Sequence, residues 1–369
     1  MDFSRRLLLG AAAGGAALSV ARSAMAAASD PAPLLGPAPG VARLGLNENP
    51  YGPAPSAIKA MTEALSTGAY YPFGGVQRLV EMIAERHGVT PDHIIVSSGS
   101  GELLNAIGVA YGKKGTLVST NLFWDSYFNY AEDKGVKTVR VPLKADFSHD
   151  FAAMEAAITL DTALVSVCNP NNPTGILEKA DDIHAFAKSA STKATVLIDE
   201  AYIELTDQPV SNSVIDLIRA GHNIAITRTF SKIYGMAGIR VGYVISTPAN
   251  IAKIKPYVMG GMNSVGLAGA VACYNDEPFL NYSRSKVTEA REMVMAAVKS
   301  AGLTALPSVT NFVWVNVGMD ANIVRDRMAA RQIMIRGVYG KWKNWSRVSM
   351  GKIPDVERYC KALPEVIKA

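Results

Sequence analysis

Lys232 is the residue best placed in this chain for amine chemistry. It lies in Arg228-Thr229-Phe230-Ser231-Lys232-Ile233-Tyr234-Gly235-Met236-Ala237-Gly238-Ile239-Arg240, between the apolar runs 223–227 and 241–245. Lysine is almost never fully buried unless paired, so a lysine held between two buried strands is a poor surface charge. It is well placed to be desolvated against a carbonyl, where the neutral amine forms a Schiff base. For the Ser-Lys pair alone, a solvated surface lysine is the plainer alternative.

Four other strings carry reactive or binding types. Asp199-Glu200-Ala201-Tyr202 closes an apolar run, and a buried aspartate there needs a partner. An N-cap aspartate with a core tyrosine is the alternative. Asn169-Pro170-Asn171-Asn172-Pro173-Thr174-Gly175 reads as a rigid turn directly after the run ending at Cys168. Ser98-Gly99-Ser100-Gly101-Glu102 joins an apolar run to a helical pattern, where free backbone N–H groups and a helix N-terminus suit an anion. It matches neither a Walker loop nor a dinucleotide fingerprint. Arg347, in Ser346-Arg347-Val348-Ser349-Met350-Gly351, offers a bidentate guanidinium to a carboxylate, or is an exposed strand-end charge.

These strings need a frame. Strands are expected at 93–97, 115–119, 137–141, 163–168, 195–199, 223–228 and 241–246. Helical patterns fall between most of them, at 101–112, 123–134, 151–159 and 178–190. Continuous apolar strands alternating with helices predict an α/β fold, with a mostly parallel seven-stranded sheet covered on both faces. Ligands then bind at the carboxyl ends of the strands, where most of the strings above lie. A long helical stretch over about 276–301 leads into a smaller α+β lobe with strands near 311–317, 333–336 and 347–350. Residues 29–45, rich in Pro, Ala and Gly, read as an extended arm and not as a packed element.

From about residue 43 to 351, in order, these strings resemble the pyridoxal 5′-phosphate (PLP)-dependent class I/II aminotransferases, closest to the histidinol-phosphate aminotransferase branch. The resemblance implies the aspartate aminotransferase-like fold and PLP as cofactor. It makes Lys232 the Schiff-base lysine and sets Asp199 against the pyridine nitrogen. It gives Tyr202 and Asn172 to the ring 3-oxygen. Ser231, Arg240, Thr229 and the backbone of Ser100 and Gly101 go to the phosphate. Trp124, in Leu122-Phe123-Trp124-Asp125-Ser126-Tyr127, stands where the family stacks an aromatic on the ring; that aromatic is usually tyrosine, so tryptophan is a departure. Tyr71, in Tyr70-Tyr71-Pro72, corresponds to a tyrosine that reaches the partner subunit's phosphate, which implies a homodimer. Arg347 corresponds to the clamp on the substrate α-carboxylate. Asn47, in the arm Leu44-Gly45-Leu46-Asn47-Glu48-Asn49-Pro50-Tyr51-Gly52, and Asn311-Phe312 fall near the substrate. Amino acid and 2-oxo acid substrates follow. A PLP decarboxylase or lyase on the same scaffold, and an exported non-catalytic binding protein, are the alternatives.

Two features depart from the phosphate-substrate branch. Where that branch carries a tyrosine in its arm, this chain has Gly36-Pro37-Ala38-Pro39-Gly40. Lys341-Trp342-Lys343-Asn344-Trp345 is a basic-aromatic segment that could line an anionic or aromatic pocket, or be a solvated loop. These departures set the expected substrate apart from histidinol phosphate.

Residues 1–28 read as a twin-arginine export signal. Arg5-Arg6 precedes a weakly apolar stretch from Leu7 to Val20, too short to span a bilayer comfortably, and Ala24-Met25-Ala26 offers a cleavage site. The expected partner is the twin-arginine export machinery and the expected location is the periplasm. The remaining organisation is 29–65 as arm and part of the small domain, 66–250 as the large cofactor domain, and 251–369 as interdomain helix and C-terminal small domain. Removing residues 1–26, with Arg5, Arg6, Arg22 and Asp2, lowers the net charge from +5 to +3, too little and too scattered for nucleic acid. The five histidines show no ligand spacing, so no metal is expected. Three cysteines form no disulfide framework, although a Cys273–Cys360 bridge is conceivable in an oxidising compartment.

Overall fold

The computed structural model describes residues 33–368; the expected export signal lies outside them. The chain divides after Val41. Before that point, the N–H of Val41 closes a turn on the Ala38 carbonyl at 3.0 Å. The unit from Ala42 onward holds all strands and helices among the described residues.

Its main sheet has seven strands. They are β2 (Ile94–Ser97), β3 (Thr116–Thr120), β4 (Thr138–Val141), β5 (Thr162–Cys168), β6 (Thr195–Asp199), β7 (Ile224–Thr229) and β8 (Gly242–Ser246). Their spatial order is β2-β8-β7-β6-β5-β3-β4. β8 pairs antiparallel with both neighbours, and the other four pairings are parallel. β6, β7 and β8 are buried along their whole length, because helices cover both faces and both alternating sets of side chains enter a core. The direction of β8 has a functional consequence. A residue entering an antiparallel strand lies at the same sheet edge as residues leaving the parallel ones. Arg240, just before β8, therefore joins Lys232, just after β7.

The smaller domain contains the 24-residue helix Glu277–Ser300 and an antiparallel sheet, β12-β10-β9, of β9 (Thr304–Ala305), β10 (Phe312–Asn316) and β12 (Trp345–Ser349). β1 (Ala42–Leu44) pairs in parallel with β11 (Ile333–Ile335). This corrects the reading of 29–45 as an unpacked arm. Ala42 and Leu44 are fully buried on one side of a period-two pattern too short to stand out from its surroundings.

The expected helix at 123–134 is confined to Ser126–Glu132, which leaves Phe123 and Trp124 in the loop that faces the site. The stretch 151–159 is helical only over Phe151–Ala156, and 178–190 over Ala180–Ala190. The conceivable disulfide is absent. Cys273 packs its sulfur on Met236 Sδ at 3.5 Å, whereas Cys360 faces the Met293 carbonyl at 3.6 Å, and both thiols are free.

Candidate active site

The strand ends open onto a cavity of about 770 Å³. Every site residue expected from the sequence lines it, except Tyr71, Asn311 and Phe312. Tyr71 is 82% exposed and leans on Phe73, with ring centroids 5.8 Å apart.

Lys232 donates from Nζ to the Asn47 carbonyl at 3.1 Å. Burial of the amine, with the Arg347 charge acting in the same direction, pushes its pKa down to about 8. Asp199 raises Lys232 slightly but does not offset these effects. Near neutral pH roughly a tenth of the amine is then unprotonated and nucleophilic, far more than for an ordinary lysine.

Asp199 ends β6 and is 5% exposed. Its Oδ1 accepts from Thr227 Oγ1 at 3.0 Å. Burial pushes its pKa up to about 6, against the pull of Thr227, the Ala201 N–H and Lys232. A cationic N–H facing this carboxylate would reverse that shift.

Tyr202 Oη accepts from Asn47 Nδ2 at 3.1 Å and from Asn172 Nδ2 at 3.4 Å. Burial holds this phenol well above its ordinary pKa, so it stays protonated. Asn172 is presented by the turn after β5. That turn is pinned where Asn171 Nδ2 donates to the Leu122 carbonyl at 3.1 Å and Asn169 Oδ1 accepts the Glu178 N–H at 2.9 Å.

An anion cradle forms where Arg240, Ser231 and the start of helix Ser100–Gly112 meet. Arg240 donates to Ser231 Oγ at 3.3 Å and to the Ala237 carbonyl at 2.8 Å, from a left-handed backbone with φ 64°. Thr229 Oγ1 accepts the Ser231 N–H at 3.1 Å. Gly99 precedes the helix at φ 94°, and a Cβ there would lie 2.3 Å from Arg240 Nη2. Only glycine lets the guanidinium approach the helix N-terminus, which no side chain caps.

On the small-domain side, Arg347 is 7% exposed. Nη1 donates to Asn172 Oδ1 at 2.5 Å and Nη2 to the Gly45 carbonyl at 3.0 Å. Its Nε is buried without a partner. Phe312 lies under the guanidinium, 5.4 Å from its centre. Asn47 is buried at φ 55°. Its N–H donates to Ser349 Oγ at 2.9 Å, and its carbonyl also receives Asn311 Nδ2 at 3.0 Å. Asn47 thus links arm, lysine, tyrosine and small domain. Trp124 reaches over Gly101, whose Cβ position is 3.8 Å from the indole.

Arg336, Tyr339 and Trp342 also line the cavity; the sequence reading assigned no role to Arg336 or Tyr339, and for Trp342 left open a pocket lining or a solvated loop, of which the structure shows the first. Arg336 and Arg347 exchange backbone hydrogen bonds at 3.0 and 3.2 Å. That pairing closes a ten-residue loop, residues 337–346, which no local pattern announces. The basic-aromatic composition of 341–345 was the available signal for Trp342.

The comparisons with known proteins agree with this geometry. The family model described as aminotransferase class I and II matches residues 39–363. A histidinol-phosphate aminotransferase of Moorella thermoacetica is 34% identical over 336 residues, covering 89% of this chain and 86% of that protein. The crystal structure of histidinol-phosphate aminotransferase from Sinorhizobium meliloti, in complex with pyridoxal-5′-phosphate, superposes with a TM-score of 0.80 at 29% identity. That match covers 89% of this chain and 91% of the other. Aspartate aminotransferase from Thermus thermophilus shares the fold with a TM-score of 0.78 at 19% identity, over 89% of this chain and 92% of its own.

Proposed function

The chain belongs to the class I and II aminotransferases and moves an amino group between an amino acid and a 2-oxo acid with pyridoxal 5′-phosphate as cofactor; on that premise we propose how its residues divide the work. Bound PLP supplies the carbonyl that takes up the amino group and the electron sink that eases loss of the substrate Cα proton. The residues present fit it, because a buried acid, a glycine-opened anion cradle and a desolvated amine face one cavity.

Asp199 would hold the ring nitrogen, and Tyr202 and Asn172 would donate to the 3-oxygen. Ser231, Arg240, Thr229 and the N–H groups of Ser100 and Gly101 would hold the phosphate. Trp124 would offer its indole to the ring. Lys232 carries a proton to and from the substrate Cα as general base and acid, which its depressed pKa supports. Arg347 takes the α-carboxylate, as the buried guanidinium that lines the cavity opposite Lys232 and Asp199 supplies the planar donor set. Asn47 sets the Lys232 amine and closes the substrate side. The observation that carries this reading is the meeting of Lys232, Asp199 and Arg347 in one cavity. No observation favours the decarboxylase, lyase or binding-protein alternatives. Purified holoprotein should be yellow, and an amino acid should convert its absorbance with stoichiometric release of 2-oxo acid. Carbon dioxide release without oxo acid would refute the assignment.

A phosphate-bearing donor is a second reading of the substrate, favoured by Arg336 beside Arg347 in the same cavity. Equal rates with a phosphorylated donor and its dephosphorylated form would remove it.

The quaternary and cellular assignments are also proposals. The exposed ring of Tyr71 supports a homodimer in which it serves the partner's phosphate. Tyr71→Phe should weaken cofactor retention, and a monomer in sedimentation that retains full activity would refute the arrangement. Residues 1–28 act as a twin-arginine signal that delivers the enzyme to the periplasm, leaving an arm to about 65, a large domain to about 250 and a small domain beyond. Unchanged export of Arg5→Lys/Arg6→Lys would refute that route.

A further inference from the structure

We propose that Trp342 sets side-chain preference at this site, as a fixed indole wall that favours amino donors with a flat ring; the proposal rests on the aminotransferase reading. Trp342 lines the same cavity as Lys232 and Arg347. It stands on the turn that joins Arg336 to Arg347, so the wall is a few residues from the carboxylate clamp.

The indole is held in place from several directions. Its backbone N–H returns to the Tyr339 carbonyl at 3.1 Å, closing a tight turn. Gly340 occupies that turn at φ 54°, and a Cβ there would meet indole Cε3 and Cζ3 at 3.6 Å, so the ring flanks the turn. The Lys341 ammonium sits 5.2 Å from the ring centroid. Trp314, fully buried, meets Trp342 with centroids 6.4 Å apart and planes at 64°. Trp314 in turn stacks on Trp345 at 4.5 Å and 28°, and Phe147 abuts both at 5.2 and 5.1 Å. The rest of the turn is tied down where the Asn344 and Lys343 carbonyls accept from Val317 and Ala321, each at 2.8 Å. An aromatic train thus runs from the small-domain core to the cavity and ends on an indole that keeps accessible surface.

A core-filling tryptophan would be enclosed, and a solvated one would be free to turn. Trp342 is neither. A pre-set π surface recognises planar side chains at little entropic cost, and a ring on it gains stacking beyond simple area burial.

The test uses holoenzyme with L-phenylalanine and L-alanine as donors in wild type, Trp342→Ala, Trp342→Leu and Trp342→Phe. Removing the indole should lower kcat/KM for phenylalanine about tenfold or more, mostly through KM, and leave alanine within about twofold. The Phe variant should recover most of the loss and the Leu variant little. Calorimetry gives a readout without turnover: 3-phenylpropanoate should bind about tenfold more weakly to Trp342→Ala, and butanoate unchanged. If the Ala variant loses cofactor, the Leu and Phe pair decides. An equal fall for both donors, or no fall for phenylalanine, overturns the proposal. A wild type that converts neither donor leaves the role of Trp342 to be decided by the binding of 3-phenylpropanoate, and the aminotransferase roles fall only if no amino acid yields its 2-oxo acid.

Discussion

The two sides of the cavity are built differently. On the large-domain side, Asp199, Tyr202 and Lys232 stand at the ends of fully buried strands, and burial displaces each of their ionisations. On the small-domain side, Arg336 bridges to Arg347 just after β11, Trp342 stands on the tight turn before β12, and both keep contact with solvent. Chemistry requires desolvated groups in fixed positions, which only a rigid sheet edge supplies. Recognition requires surface, which a turn can present and exchange without disturbing the sheet. Arg347 belongs to both, since it lies on a small-domain strand yet is buried and bonded to Asn172 of the large domain.

The contrast predicts unequal losses on the two sides. Lys232→Ala removes the proton carrier and should lower kcat by on the order of 10⁴-fold or more, while the fold persists and the cofactor absorbance shifts with loss of the lysine Schiff base. Single-turnover spectroscopy with added amino acid checks this. Turnover within about tenfold of wild type would mean that the sheet edge does not carry the chemistry.

Arg347→Lys keeps the charge but loses the planar fork. Lysine cannot satisfy Asn172 Oδ1, the Gly45 carbonyl and a substrate carboxylate together. kcat/KM for amino and oxo acids should fall about 100-fold, with uncharged amine donors far less affected. An equal loss on both donor types would move Arg347 from clamp to structural brace.

The same contrast explains what could be read from the sequence. Strands β5, β6 and β7 are continuous apolar runs that end in Asn-Pro, Asp-Glu or Ser-Lys strings, so period and punctuation lie together in the chain. β1 offers three residues, Ala42–Leu44, and its partner β11 is almost 300 residues away, so no local pattern marks it. Asn47 was legible as part of a motif, but its links to Lys232, Tyr202, Ser349 and Asn311 arise only from tertiary packing. Arg336 was legible only as the end of a short strand, and Trp342 only within a basic-aromatic segment with a solvated loop as its alternative, because neither pattern says which cavity a side chain faces. The train Trp342–Trp314–Trp345–Phe147 joins segments about 170 residues apart, which proximity in sequence could not suggest.

The smallest predicted effect concerns the cost of a rigid sheet edge. Glu204, just beyond Tyr202, is buried with both carboxylate oxygens unpartnered. Burial pushes its pKa up to about 7 from an ordinary 4.5, although Arg228, Arg86 and Arg284 pull it down and Glu200 adds to the rise. Arg228 is already paired with Glu200 at 2.7 Å. Between pH 4.5 and about 7 the folded state therefore holds a proton that the unfolded state has released. Stability from this group is present below 4.5 and falls as pH rises to about 7, beyond which the loss is complete. The penalty at pH 8 is on the order of 3 kcal/mol. Glu204→Gln should change the melting temperature little at pH 4.5 and raise it by several degrees at pH 8. Equal shifts at both pH values would show that Glu204 is paired in solution, and that the sheet edge carries no such cost at this position.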